Sequence, residues 1–244
     1  MAVFKGRSGA VSYGQDIGIL MLDCFCAFVP GDIGNAYTYD YPVLYHMVPG
    51  LTSPIVHSGG KQAIDQLIDA AKFLEQQGVK AITSDCGYML HYQEDVSAAV
   101  NIPVMLSPLL QLPFVASTIG KNQSIGILCA NDKSMDQSLI ARAFPHPTRK
   151  VHVRGMNDKK DFWKAFIEDV GYLDTSAVER EMEEAATELV ETHPDIGAIV
   201  LECSNMPPYT HIVGRVTGRP VFDFVSMIDH MRGAISPKTY NGGY

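Results

Sequence analysis

Two stretches of the sequence repeat one another around a cysteine. Ala81-Ile82-x-x-Asp85-Cys86 recurs as Ala198-Ile199-x-x-Glu202-Cys203, 117 residues later. A Pro-Val pair follows each cysteine 17 residues on, as Pro103-Val104 and Pro220-Val221. A single buried cysteine at a strand end is ordinarily a small hydrophobe. Packing alone, however, does not require cysteine at the same register of both repeats. Two opposed thiols suit proton transfer at an acidified carbon. One, as thiolate, removes the proton, and the other returns one to the opposite face. Cys86 and Cys203 are therefore the candidate catalytic pair.

An anionic substrate group beside such a pair needs donors, and no arginine is an obvious clamp. The amides after each cysteine are expected at helix N-termini, which would bind an anion and lower the thiol pKa. Gly87, Tyr88, Ser204 and Asn205 are thus candidate substrate-binding residues. Asn131 and Ser134, after a strand ending at Cys129, and Asp23 and Tyr39, after the first strand, complete the set. Asn131 has a competing use as a helix cap. Alternation along a strand directs Asp85 and Glu202 away from the neighbouring cysteines.

The other reactive residue types give less. Cys24, Cys26 and Cys129 have no partner across the repeat, and there is no C-x-x-C pair. Cys24-Phe-Cys26 offers two thiols at i, i+2, which point to opposite faces of a strand, so no metal site is expected. Five scattered cysteines read as reduced thiols of a cytoplasmic protein. Gly31-x-x-Gly34 and Gly59-Gly60-Lys61 lack the spacing of nucleotide loops. The eight histidines form no H-E-x-x-H, and His91 and His211, downstream of the two cysteines, read as helix residues.

The elements that must position the pair follow from the hydrophobic pattern. Apolar runs predict strands at Ile17–Leu22, Val43–Val48, Ala81–Thr83, Val104–Leu106, Ser124–Cys129, Val151–Val153, Ile196–Leu201 and from Val221. Helical spacing predicts helices at Lys61–Gln77, Leu109–Ile119, Met135–Phe144, Ser176–Thr192 and Val225–Ala234. Ile-Gly-Ile-Leu also occurs twice, at Ile17 and Ile125, 108 residues apart. The nine-residue difference from 117 implies an insertion in the second half, expected at Asn157–Asp174 around Trp163. The fold class is α/β: two pseudosymmetric lobes, each a parallel sheet flanked by helices. Ligands bind beyond the carboxyl ends of such strands, so the active site is expected in the cleft between the lobes.

On these residues the sequence resembles the aspartate/glutamate racemase superfamily. The resemblance rests on Thr83-Ser84-Asp85-Cys86-Gly87-Tyr88, Pro108-Leu109-Leu110-Gln111-Leu112-Pro113 and Leu201-Glu202-Cys203-Ser204-Asn205-Met206-Pro207-Pro208-Tyr209. It implies a cysteine acid/base pair between two lobes, no cofactor, and a homodimer or higher homo-oligomer. It also implies a first lobe over 1–116, a second over 117–224, and a last segment, 225–244, packed back on the first. The superfamily includes hydantoin racemases, maleate isomerases, arylmalonate decarboxylases and algal-type dimethylsulfoniopropionate lyases. Ser204-Asn205 stands where typical glutamate racemases have Thr-His, which argues against glutamate. Two cysteines argue against a one-cysteine decarboxylase. Asp85-Cys-Gly-Tyr-Met89 and Val48-Pro-Gly-Leu-Thr52 look like the lyase branch.

The expected activity is a racemase or epimerase acting beside a carboxylate, with aspartate-like amino acids first. The alternative is the lyase, in which the same pair serves β-elimination. Tyr37, Tyr39, Tyr41 and Tyr45 follow the first strand, where they would form a rim attracting a sulfonium cation or simply one face of an extended strand. A binding module without chemistry has no use for matched cysteines. The balance of 19 Lys+Arg against 27 Asp+Glu, formally −8, has no basic run, so a nucleic-acid partner is not expected. The longest apolar run, Ile17–Val29, holds Asp23 and is too short to span a membrane. The expected partner is a small anionic substrate.

Overall fold

The computed structural model describes Val3, residues 5–240 and Gly242. Its strands are β1 (Ile17–Met21), β2 (Val43–Met47), β3 (Ala81–Ser84), β4 (Val104–Met105), β5 (Ser124–Cys129), β6 (Val151–Gly155), β7 (Ile196–Leu201) and β8 (Val221–Phe222). They form two four-stranded sheets of the same order, β2-β1-β3-β4 and β6-β5-β7-β8, parallel throughout. The register repeats as well: Ile17 pairs with Val43 and Ala81, and Ile125 with Val151 and Ala198. The inner strands β1, β3, β5 and β7 are buried along their whole length. Their unbroken apolar runs suit strands covered on both faces.

In the first lobe the helices are α1 (Ser53–His57), α2 (Ile64–Gln77), α3 (Gln93–Ala99) and α4 (Leu112–Thr118). The second has α5 (Gln137–Ala143), α6 (Lys160–Phe166), α7 (Thr175–Thr192) and α8 (Thr210–Thr217), and α9 (Phe224–Ile235) ends the order. α2 stops at Gly78, whose φ of 95° is a left-handed cap open to glycine at no steric cost. A capping box of Asp223 and Ser226 starts α9. Phe224, Met227 and Ile228 of α9 share a core with Ile17, Ile19 and Met21 of β1, and α9 also contacts β3. The last helix thus covers a face of the first sheet.

The structure corrects two expectations. The extra length of the second half is not confined to 157–174: α7 has 18 residues against 14 in α2, and β7 six against four in β3. Part of the 157–174 stretch is itself helical, as α6, which carries Trp163. The tyrosine segment does not line the cavity, and it keeps to one face only in part. A 3-10 turn at Ala36–Thr38 breaks it, and Tyr39 is buried in the core beneath α9. Tyr39 and Tyr45 each donate to the Ile33 carbonyl at 3.2 Å, and Tyr41 donates to Asp229 at 2.6 Å. Tyr37 is 90% exposed. Past that turn Tyr39, Tyr41 and Tyr45 share a face against the core under α9, with the Tyr39 and Tyr41 ring centroids 5.5 Å apart, so the one-face expectation fails at Tyr37 alone.

Candidate active site

β3 and β7 end one residue apart from equivalent acid-cysteine pairs, and both pairs turn into one cavity between the lobes. Cys86 and Cys203 line it together with Asp85, Glu202, Ser204 and Asn205. The cavity is narrow, with about 30 Å³ of free space at its centre. A wider groove of about 590 Å³ runs over α5 and the start of β6, past Gln137, Phe144 and His152. It contains neither matched cysteine, so the small cavity is the candidate site.

Asp85 and Glu202 do not point out of the site. The pleat that would separate them from the cysteines ends at Ser84 and Leu201, and beyond it alternation no longer applies. Both Asp85 oxygens accept the Leu22 amide at 3.0 Å, and Glu202 Oε2 accepts the Ala130 amide at 3.2 Å. Leu22 and Ala130 follow β1 and β5 at equivalent positions of the repeat. Each acid therefore caps the end of the neighbouring central strand, which explains an acid before each cysteine. Burial raises Asp85 well above the usual carboxylate range and pushes Glu202 up to about 8.

The thiols are not lowered as a helix N-terminus would lower them. Burial raises both well above the usual thiol range, and the nearby Glu202 adds to the effect in each case. The element after Cys86 is a 3-10 turn over Gly87–Tyr92, and the chain after Cys203 reaches only a three-residue 3-10 turn at Pro207–Tyr209 before α8. Short 3-10 turns lack the aligned dipoles of a long α-helix. Cys203 Sγ donates to Asn205 Oδ1 at 3.5 Å, and Asn205 Nδ2 donates to Asp32 at 2.7 Å. Asp32 is only 1% exposed, and burial pushes it up to about 7 against the pull of the Gly34 amide.

Hydrogen bonds across the lobes converge on the same turns. Tyr88 Oη donates to the Asn131 carbonyl at 2.6 Å and accepts the Asn131 amide at 3.0 Å. Ser204 Oγ donates to the Asp85 carbonyl. Gly87 is pressed against the other lobe, where a Cβ would fall 2.3 Å from the Glu202 carbonyl oxygen and from Oε1.

Of the residues singled out in the sequence, Cys86, Cys203, Tyr88, Ser204 and Asn205 line the cavity. Gly87 supports its wall. The Asn131 side chain caps the turn at Asp132–Ser134 by accepting the Lys133 amide, and it also accepts from Asn157. Ser134 is the last residue of that turn and does not line the cavity. Asp23 is exposed and fastens the Gly50 amide. Tyr39 belongs to the core under α9.

Several wall residues gave no signal. His57, in α1, stacks on Tyr88 with ring centroids 4.2 Å apart, and burial lowers it to about 4, so it is neutral. His91 and His211 lie outside the cavity lining. Phe28 and Phe166 add aromatic surface from the two lobes. Cys24 and Cys26 also line the cavity. They follow β1 in a loop, so the opposite-face argument for i, i+2 thiols does not hold for them.

The twin four-stranded parallel sheets are a fold that solved racemases and arylmalonate decarboxylases share. An arylmalonate decarboxylase with a glycine-to-cysteine substitution superposes with a TM-score of 0.63 at 19% identity, over 93% of this chain and 97% of that one. The glutamate racemase of Bacillus anthracis gives 0.55 at 16%, over 92% and 85%. No family profile matches the chain. The chain belongs to the dimethylsulfoniopropionate lyase family. It is 32% identical over 220 residues to the dimethylsulfoniopropionate lyase of Durusdinium sp. clade D, covering 87% of this chain and 72% of that protein. Against dimethylsulfoniopropionate lyase 7 of Emiliania huxleyi the identity is 31% over 228 residues, covering 90% and 67%. Among the described residues no helix is long and apolar enough to cross a membrane.

Proposed function

We propose that the protein is a cofactor-independent lyase that cleaves dimethylsulfoniopropionate, or a close sulfonium analogue, to acrylate and dimethyl sulfide. The observation that carries this reading is the charge character of the cavity. Four thiols, Asp85, Glu202 and two phenyl rings are among its walls, Asp32 stands behind Asn205, and no Lys or Arg lines it among the described residues. A dicarboxylate such as aspartate would meet acids and no cation there. A sulfonium zwitterion has one carboxylate, and its cation suits the aromatic faces and draws the raised acids and thiols toward their charged forms. Relatives at 32% and 31% identity that are dimethylsulfoniopropionate lyases support the same reading.

The chemistry needs a thiolate, which burial disfavours. An approaching sulfonium lowers a neighbouring thiol pKa by its charge, so the substrate itself promotes formation of its base. We assign the base to Cys86, because the proton of Cys203 is held on Asn205, which Asp32 orients. The Cys86 thiolate takes the proton beside the substrate carboxylate. The electron pair left behind forms the carbon–carbon double bond as the carbon–sulfur bond breaks. Dimethyl sulfide leaves with that bond's electrons, acrylate keeps the carboxylate, and the proton passes from Cys86 to solvent.

The matched pair also suits racemisation, and one experiment separates the readings. The protein is incubated in deuterated water with dimethylsulfoniopropionate, aspartate, glutamate and hydantoins, and the protons next to each carboxylate or carbonyl are followed by NMR. The lyase reading expects dimethyl sulfide and acrylate from the sulfonium compound alone. Deuterium exchange into aspartate without any sulfide release would replace it with the racemase.

A further inference from the structure

The loop after β1 carries two thiols that the elimination leaves unused. Cys24 and Cys26 are free and half-buried. Asp169 meets them from the second lobe, in the loop after α6. One ligand atom from each residue, two sulfurs and one carboxylate oxygen, lie within 4.8 Å of one another. Among the described residues no other three His, Cys, Asp or Glu side chains converge in this way.

The carboxylate is already oriented. Oδ2 of Asp169 accepts the amide of Phe25, the residue between the two cysteines, at 2.6 Å. Oδ1 is buried and has no hydrogen-bond partner. An unsatisfied buried acceptor costs about 1–3 kcal/mol, more when charged, so this oxygen calls for a donor or a cation. The approach of the two loops is itself specific. Asp169 is the sole described non-glycine residue with positive φ, at 55°, and a Cβ on Gly171 would fall 2.0 Å from the Phe25 ring.

We propose that Cys24, Cys26 and Asp169 form a binding site for a thiophilic divalent cation of the zinc class, bridging the two lobes at the wall of the cysteine cavity. Two soft sulfurs with one oxygen suit zinc, cadmium or cobalt rather than magnesium or calcium, which take oxygen ligands. Zinc–sulfur bonds of about 2.3 Å in a tetrahedron put ligand atoms about 3.8 Å apart, so side-chain rotations that close about an ångström complete the set. Three protein ligands leave the fourth position to water or to a group in the cavity. The ion enters as both thiols release their protons to solvent. Once bound, it ties the loop after β1 to the loop after α6.

Cobalt(II) and zinc(II) titrations of the reduced full chain test this. Cobalt is followed through its thiolate charge-transfer and tetrahedral visible bands, and zinc stoichiometry by native mass spectrometry. One ion per chain is expected. Cys24→Ser and Cys26→Ser should each weaken binding about 100-fold and Asp169→Asn about 10-fold, whereas the double variant Cys86→Ser/Cys203→Ser keeps the site. Zinc should also protect Cys24 and Cys26 of the unaltered protein from alkylation, read peptide by peptide, which does not depend on any variant folding. The proposal is overturned if no ion binds, if Cys24→Ser and Cys26→Ser bind as well as the parent, if the double variant loses the ion, or if zinc leaves Cys24 and Cys26 open to alkylation.

Discussion

Asp85 and Glu202 each stand beside a thiol with no water to solvate a charge, and that sets how the protein responds to pH. An acid held at about 8 when folded, against an ordinary 4.5, binds a proton in the folded state that the unfolded chain has lost. Between those two values the folded state holds more protons, so stability falls as pH rises, by at most about 1.4 kcal/mol per pH unit. Below 4.5 and above 8 Glu202 adds no slope. Asp32 acts in the same direction between 3.8 and about 7. Glu202→Gln, a neutral shape mimic, should flatten the slope in urea unfolding followed from pH 5 to 8, and an unchanged slope would contradict the assignment. For activity, Cys86→Ser should lower kcat for sulfide release roughly 10²–10⁴-fold, with Cys203→Ser retaining more than Cys86→Ser. Equal and near-complete loss in both would favour a two-base reaction. The cysteine pair was legible because repetition marks it. The capping acids were not, because alternation says nothing of residues past the end of a strand.

The strand ends and the turns after them hold the site together. Gly87 has to be small because a Cβ would press on the Glu202 main chain, which cannot swing aside. Gly87→Ala should cost about 1–3 kcal/mol, seen as a lower urea midpoint with an unaltered slope. Tyr88→Phe removes both hydrogen bonds to the Asn131 backbone across the lobes and should cost a similar amount. Its effect should fall on substrate affinity as well as stability, since Asn131 and Tyr88 fix the spacing of the two walls. The strands and longer helices were readable from unbroken apolar runs and 3.6-residue spacing. α1, with five residues, is too short for periodicity to register, and it is the element that brings His57 to the cavity. The tyrosine-rich segment misled because aromatic residues near a predicted cleft serve equally well as core under α9, and only the tertiary fold separates these uses.

At the scale of the molecule, the cavity is narrow and hydrogen bonds cross between the lobes beside it. Admission therefore requires the lobes or the loop after β1 to move, breaking contacts such as Asn205–Asp32 and Tyr88–Asn131. Amide hydrogen exchange should show the Asn131 amide, bonded across the lobes, opening more often than amides inside β5 or β7. Addition of acrylate should slow it, whereas equal protection would point to a rigid cavity. The two-lobed plan could be read from offsets of 108 and 117, but the closeness of the walls could not, because it depends on contacts between residues far apart in the chain. The position of α9 has a further consequence for how the protein is made. The second sheet is drawn wholly from residues 124–222, whereas the first sheet's Ile17, Ile19 and Met21 receive part of their cover only from Phe224, Met227 and Ile228. On the ribosome, the half synthesised first must wait with an exposed greasy face until residues 224–228 have emerged, so the half made later is the one able to finish folding first.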